Sequence, residues 1–355
     1  MSRKNKCAEQ QESSIEIASR PQFSAAEVQV VLQEEYGLDG ELQTLVSERD
    51  QNFRVTSDDG QCYVFKIANA AEPENVTDFQ IQALLHIEIA GCPVATPRIV
   101  KTLARAVATK IGDGSGKCVC RIVSYVPGIP FSAAVPTPGL VADLGASAAT
   151  LDSSLLGFEH DADQDILLWH MQRATDLRNL LADIANIKLR NLVGACLDDF
   201  ERNVLPRIST LRSQVIHGDL NPDNVLVATA YPDSIAGVID FGDIVHGPMI
   251  FEVAIAASYL WVEKDPLALI ASFVAGFDKV TTLVADEFNL LFDLVRTRLA
   301  ATITIAHWRR AIRGENDAYV RAYFQSGRSA EHFLAHLDSM TREPFTDRIL
   351  RACRR

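Results

Sequence analysis

Val215-Ile216-His217-Gly218-Asp219-Leu220-Asn221-Pro222-Asp223-Asn224-Val225-Leu226-Val227 is the stretch that decides the fold class. It reads as an apolar strand, a polar loop and a second apolar strand. The loop carries a carboxylate at Asp219 and an amide at Asn224. Further on, Val238-Ile239-Asp240-Phe241-Gly242 again puts a carboxylate at a strand end. These groups suit phosphoryl transfer. Mg²⁺ takes hard oxygen ligands and draws only one or two from the protein, with phosphates and waters supplying the rest. Asn224 and Asp240 fit as those ligands. An acceptor hydroxyl needs an oxygen placed to take its proton, and Asp219 fits that task. His217 joins the catalytic group, mainly as an imidazole that organises the loop. The competing reading of Asp219 and Asn224 is local, because Asx side chains also cap turns. Asp243 either touches metal or caps the helix that begins near Pro248.

Outward from this loop, the chain alternates strand and helix patterns. Residues 1–21 are rich in Ser, Gln, Glu and Lys and read as a flexible tail. Ser24 and Glu27 form a capping box, and Gly37 ends the helix that follows. Phe53-Arg54-Val55 and Tyr63 to Ile67 flank Ser57-Asp58-Asp59-Gly60, an Asp-Gly turn signal, so a β-hairpin is predicted. Lys66 shares a face with Val64, opposite Tyr63, Phe65 and Ile67. A helix is predicted over 76–90, then strands over 99–109 and 117–126 joined by Gly112 to Gly116. That glycine-rich joint lacks P-loop spacing and lies between strands, so it is a hairpin tip. From 139 onward helices dominate, over 139–151, 165–190, 195–206, 249–262, 266–280, 284–312 and 318–337. Short strands over 214–216, 225–227 and 237–239 interrupt them.

The 355 residues carry 34 basic and 46 acidic side chains, a net charge of −12. Two domains are expected from this length. The acidic balance argues against nucleic-acid or anionic-membrane partners, though one cationic pocket suffices for a small anion. Seven scattered cysteines include no Cys-x-x-Cys pair. Together with a polar N-terminus and no long apolar run, they point to a cytoplasmic protein with reduced thiols.

His217-Gly218-Asp219-x-Asn221-x-x-Asn224, followed by Ile239-Asp240-Phe241-Gly242-Asp243, resembles the catalytic and metal loops of the aminoglycoside phosphotransferase family. Within it, the chain is most similar to the hydroxylysine-kinase group, including kinase-like domains fused to class-III aminotransferases. Ser47-Glu48-Arg49-Asp50-Gln51-Asn52-Phe53, Tyr63-Val64-Phe65-Lys66-Ile67 and Asp240 to His246 support it. The similarity runs from Phe23 into the 320s. It implies an α+β, two-lobed, protein-kinase-like fold, with an N-lobe over 22–127 and a larger helical C-lobe over 128–355. By the same resemblance Lys66 contacts nucleotide phosphates. Gln80 stands where the family places a glutamate partner for that lysine, with Asp78 as another candidate. Arg49, Gln51 and Asn52 belong to the phosphate-covering loop. The backbone at Ser124 and Val126 pairs with the base of ATP or GTP.

The implied reaction moves the γ-phosphoryl group to a hydroxyl of an amino-acid-like or amino-alcohol amine, hydroxylysine first, with Mg²⁺ as cofactor. Aminoglycoside, choline and homoserine are alternative acceptors. A catalytically weak nucleotide-binding protein is the rival suggested by Gln80. For an amino-acid substrate, Arg296 or Arg298 could meet the carboxylate; otherwise they belong to the helix core. The sequence leaves the oligomeric state open.

Overall fold

The structure, a computed structural model, describes residues 20–112, 117–163, 168–231, 233–325 and 328–353. Nearly all of the predicted tail, and Asp113 to Gly116 of the predicted hairpin tip, lie outside these residues. So do Gln164 to Leu167, at the start of the helix predicted over 165–190. Among the described residues no helix is long and apolar enough to cross a membrane.

The chain divides into two compact units, Met1–Pro127 with Phe158–Leu167, and Gly128–Gly157 with Leu168–Arg355. The short return of 158–163 to the first unit was not expected, because 128–355 reads as one lobe. Aromatic burial explains it. Phe158 stacks on Phe79 at 5.8 Å between centroids, and His160 stacks on the same ring at 5.3 Å.

The first unit opens with α1 (Ala25–Val31), started by the expected capping box. Ser24 Oγ accepts from the Glu27 N–H, and the Glu27 carboxylate accepts from the Ser24 N–H at 2.8 Å. A π-helical turn, Leu32–Tyr36, ends at Gly37 in the left-handed region. Strands β1 (Gly40–Leu45), β2 (Gln51–Ser57) and β3 (Cys62–Ile67) form an antiparallel meander. The β2–β3 turn falls where the Asp-Gly signal put it. Phe53, Val55, Phe65 and Ile67 bury their shared face against Val28 and Leu32.

Helix α2 (Glu74–Ala90) follows and stops at Gly91. The strand predicted over 99–109 is instead two short strands, β4 (Ile99–Val100) and β5 (Thr109–Ile111), both paired with β6 (Cys118–Ser124). A turn separates them. Thr102 Oγ1 accepts from the Ala106 N–H at 3.0 Å, and Arg105 adopts φ 66°. Local side-chain bonding has displaced the ladder there.

In the second unit β7 (Ile129–Pro130) pairs with β9 (Val225–Val227), which pairs with β10 (Ile235–Val238). Separately, β8 (Ser213–Ile216) pairs with β11 (Val245–Pro248). Around them run α3 (Pro138–Ser154), α4 (Ile187–Asp199), α5 (Ile250–Ala257), α6 (Pro266–Val280), α7 (Ala285–Arg313), α8 (Ala318–Gln325), α9 (Ser329–Asp338) and α10 (Arg342–Ala352). The helix predicted over 165–190 is a 3₁₀ segment, Met171–Asp183, and then α4. The break occurs because Asn186 caps α4, accepting from the Lys188 and Leu189 N–H groups. Helix α10 was not foreseen.

Helices α3 and α6 approach closely through glycine. A Cβ on Gly145 would lie 2.0 Å from the Phe273 carbonyl oxygen, and one on Gly276 2.0 Å from that of Ala142. Helix α7 is the axis of the unit and is buried along most of its length. Its buried charges are paired: Glu287 with Arg212 at 2.6 Å, Asp293 with Arg342 at 2.6 Å, and Arg296 with Asp199 at 2.7 Å.

Candidate active site

The polar loop 217–224 leaves β8 and enters β9. His217 is completely buried. Its Nε2 donates to the Ile239 carbonyl at 3.0 Å, and its Nδ1 accepts from the Asp219 N–H at 3.2 Å. Those two bonds require the neutral Nε2–H tautomer. Burial holds the imidazole below its ordinary pKa, agreeing with that tautomer. His217 thus ties the loop to the strand end before Asp240. Both ring nitrogens are committed, so its expected place among the catalytic residues becomes a positioning role.

Gly218 adopts φ 77°, and a Cβ there would lie 2.5 Å from the Asp243 carbonyl oxygen. Gly218→Ala is therefore expected to destabilise the fold by about 2 kcal/mol or more, combining the left-handed penalty with a backbone clash. Denaturant unfolding measures this directly. A loss under about 0.5 kcal/mol would mean the loop relaxes away from Asp243.

Asp219 is clamped. Its Oδ2 accepts from Asn221 Nδ2 at 2.8 Å and from Asn224 Nδ2 at 2.9 Å. Its Oδ1 accepts from Arg298 Nη2 at 3.2 Å. Asn224 Nδ2 also donates to the Asp219 carbonyl at 3.0 Å. With its nitrogen fixed on Asp219, the Asn224 amide keeps Oδ1 out of these bonds. The Ile239 N–H donates to the Asn224 carbonyl at 2.8 Å, which brings the next strand end alongside. There Asp240 is exposed, with φ 61° and ψ 80°. Such backbone strain in a residue other than glycine is typical of functional positions. Among the described residues no cluster of three His, Cys, Asp or Glu side chains could hold a metal. An amide oxygen and a carboxylate oxygen fit a cation whose remaining ligands are phosphates and water.

Glu252, on α5, lies beneath the loop. It is fully buried and accepts from the Gly218 N–H through Oε2 at 2.9 Å. Asp152, on α3, is 2% exposed and lies within its electrostatic reach. Each carboxyl has one buried oxygen without a hydrogen-bond partner, Asp152 Oδ2 and Glu252 Oε1. Burial pushes Glu252 up to about 7. Burial, and then the Glu252 charge, raise Asp152 well above the carboxylate range. A carboxyl whose folded pKa is raised contributes stability that is complete below its unfolded pKa and is lost as pH climbs through the folded value. The melting temperature is thus expected to fall between pH 5 and pH 8. Asp152→Asn, which removes one of the two titrations, is expected to flatten that slope. Equal slopes in both proteins would show that the pair does not control it.

In the first unit, Asn52 and Lys66 are cross-strand partners on β2 and β3. Asn52 is 8% exposed and its Oδ1 is buried without a hydrogen-bond partner. Arg49 lies in the loop before β2, and its carbonyl accepts from Asn69 Nδ2 at 3.1 Å. Gln51 departs from expectation. Its amide pairs with the Phe23 backbone at both ends, at 2.8 and 2.9 Å, and fastens the chain before α1 to the sheet. Asp78 binds His160 at 3.1 Å and Gln82 at 3.1 Å, so its place is at the surface of α2. The buried Gln80 accepts from Arg121 Nη2 at 2.5 Å through Oε1. Arg121, 3% exposed, stands opposite Lys66 on β6. Arg121 thus gives the neutral residue at 80 a charge-assisted bond. The Ser124 N–H donates to the Arg98 carbonyl at 2.8 Å, and Ser124 Oγ accepts from the Arg98 N–H at 2.9 Å. The Ser124 N–H is thereby committed within the protein, and its hydroxyl already accepts one bond. Val126 follows two residues later and is buried.

Residues 41–288 match the profile of the phosphotransferase enzyme family, about two-thirds of the chain. The chain belongs to that phosphotransferase family. The hydroxylysine kinase of Mus musculus is 28% identical over 335 residues, covering 88% of this chain and 89% of that protein. The structure of a microcompartment-associated aminopropanol kinase superposes with a TM-score of 0.71 at 17% identity, over 93% of this chain and 100% of that one. An amicoumacin kinase in complex with AMP-PNP and Ca²⁺ superposes with a TM-score of 0.68 at 15% identity, over 98% and 96%. The α+β, kinase-like architecture of this phosphotransferase follows from both superpositions. Its enzyme class, a phosphotransferase with a hydroxyl acceptor, follows from the family.

From the sequence, Arg121, Glu252 and Asp152 are not foreseen at the site, and Arg298 is considered there only for a substrate carboxylate. Arg121, on β6 of the first unit, and Arg298, on α7 of the second, are buried cations. Glu252 and Asp152 are buried acids. Glu252 carried a readable signal, a carboxylate inside the apolar run Met249-Ile250-Phe251-Glu252-Val253-Ala254. Asp152 and Arg121 carried none.

Proposed function

We propose that this phosphotransferase moves the γ-phosphoryl group of ATP or GTP to a hydroxyl of a small amine, an amino alcohol or hydroxy amino acid, with hydroxylysine as the first choice. The clamp on Asp219 carries this reading. One carboxylate is held by two amides, and the oxygen of one of them, Asn224, would serve a cation. Asp219 takes the acceptor proton, and Lys66 orients the nucleotide phosphates with Asn52 and the Arg49 loop. The Ser124 carbonyl and the Val126 N–H take the base. Asn224 and Asp240 would hold Mg²⁺, which would supply charge neutralisation for the phosphates.

The acceptor class is supported by the mouse hydroxylysine kinase, matched over nearly the full length. The aminopropanol kinase adds a short molecule with an amine and a hydroxyl. Cys62, Cys92, Cys118, Cys120 and Cys196 stand as thiols, which supports a reducing compartment, the cytoplasm. The test is nucleoside diphosphate release from Mg-ATP and Mg-GTP with hydroxylysine, homoserine, choline and an aminoglycoside. Hydroxylysine is expected to give the highest kcat/KM. A tenfold advantage for another acceptor would replace it. Release with none of them would overturn the kinase reading.

A further inference from the structure

Arg296 and Arg298 leave the same helix, α7, two residues apart and serve different ends. Arg296 pairs with Asp199 at 2.7 Å and Asp338 at 3.4 Å, carboxylates outside the catalytic loop. Arg298 is 1% exposed and turns to the loop itself. Its Nη2 donates to Asp219 Oδ1 at 3.2 Å and to the Tyr259 hydroxyl at 3.3 Å, and its Nη1 donates to the Trp169 carbonyl at 3.5 Å. The guanidinium also lies 4.7 Å above the Trp169 ring. An indole face, a phenol and a carbonyl thus fix its plane before any substrate arrives. A guanidinium does not lose its proton, so its charge persists in this dry position and needs a carboxylate. Asp219 is that carboxylate, and its other oxygen is already held by Asn221 and Asn224.

We propose that Arg298 is a positioning residue for phosphoryl transfer, holding the Asp219 carboxylate in one orientation from the side opposite the two asparagines. The proposal rests on Asp219 being the group that receives the acceptor proton. Positioning carries large effects here, because a displacement of about 1 Å at a reacting group costs about 10²-fold in rate. It also assigns Arg298 away from a substrate carboxylate, since Nη2 already donates to both Asp219 and Tyr259 and Nη1 to the Trp169 carbonyl.

A double-mutant cycle on kcat tests it, using Arg298→Lys, Asp219→Asn and the pair, with Mg-ATP and the best acceptor. Arg298→Lys alone is expected to lower kcat about 10²-fold and to leave the KM for nucleotide within about twofold. On the Asp219→Asn background the same change is expected to cost less than about twofold, because the group it positions is gone. Additive losses would overturn the proposal. So would a rise in KM confined to acceptors that bear a carboxylate. Full activity of Asp219→Asn would instead sink the proton-acceptor reading on which the proposal stands. If Arg298→Lys does not fold, Trp169→Leu enters the same cycle. It removes the stacking face and leaves the charge, and the same non-additivity is expected.

Discussion

Asp219→Asn should lower kcat by about 10²- to 10⁴-fold, the span of a lost proton acceptor, and leave the KM for nucleotide nearly unchanged. The amide keeps the shape of the carboxylate, so the acceptor hydroxyl still finds its place. What disappears is the oxygen that can take its proton. The structure also predicts a stability cost. Asn221 and Asn224 both donate to one oxygen of Asp219, so the new amide must present its oxygen to them. Its NH₂ group then faces the Arg298 guanidinium, donor against donor, where Oδ1 now accepts at 3.2 Å. A buried donor left unmatched costs about 1–3 kcal/mol. Rates are therefore to be compared per folded molecule, below the melting temperature. If a tenth of the wild-type kcat survives, Asp219 is not the proton acceptor.

How much of this was legible follows from how far apart the interacting residues lie. The loop from His217 to Asn224 could be read because the bonds that join Asp219 to Asn221 and Asn224 close within the loop, and local chemistry writes itself into spacing. The β2–β3 hairpin was legible for the same reason, with an Asp-Gly turn between alternating strands. The division of 99–109 was not. The turn at Thr102 and Arg105 depends on one hydroxyl and one left-handed arginine, neither of which breaks the apolar pattern. Gln80 shows a subtler limit. The sequence placed it correctly on α2, but one of its donors, Arg121, sits 41 residues away on a strand where arginine usually means solvent. Arg298 stands 79 residues from Asp219. Its helix, α7, carries charged residues from its first turn to its last, so nothing in the sequence marked which of them the fold buries. Buried charge in such a helix must find a partner.

Asp240→Asn should abolish the Mg-dependent thermal stabilisation by nucleotide and reduce kcat by at least about 10²-fold, because the ligand charge that offsets the metal is lost. Nucleotide at a hundred times its Kd adds about 2.7 kcal/mol of stability, enough for a shift of several degrees in the wild type. The backbone at Asp240 allows a control that separates ligation from folding. At φ 61° asparagine is tolerated almost as well as aspartate, so the nucleotide-free melting temperature of Asp240→Asn should match the wild type. Alanine lacks the short polar group that eases the left-handed region, and Asp240→Ala should lose about 1–2 kcal/mol without any ligand present. The two variants therefore share the loss of nucleotide stabilisation and differ in intrinsic stability. Chelation with EDTA should erase the nucleotide shift of the wild type and leave both variants where they were. A Mg-dependent shift that persists in Asp240→Asn would move the cation to other oxygens of the loop and leave the strain at Asp240 without a catalytic purpose.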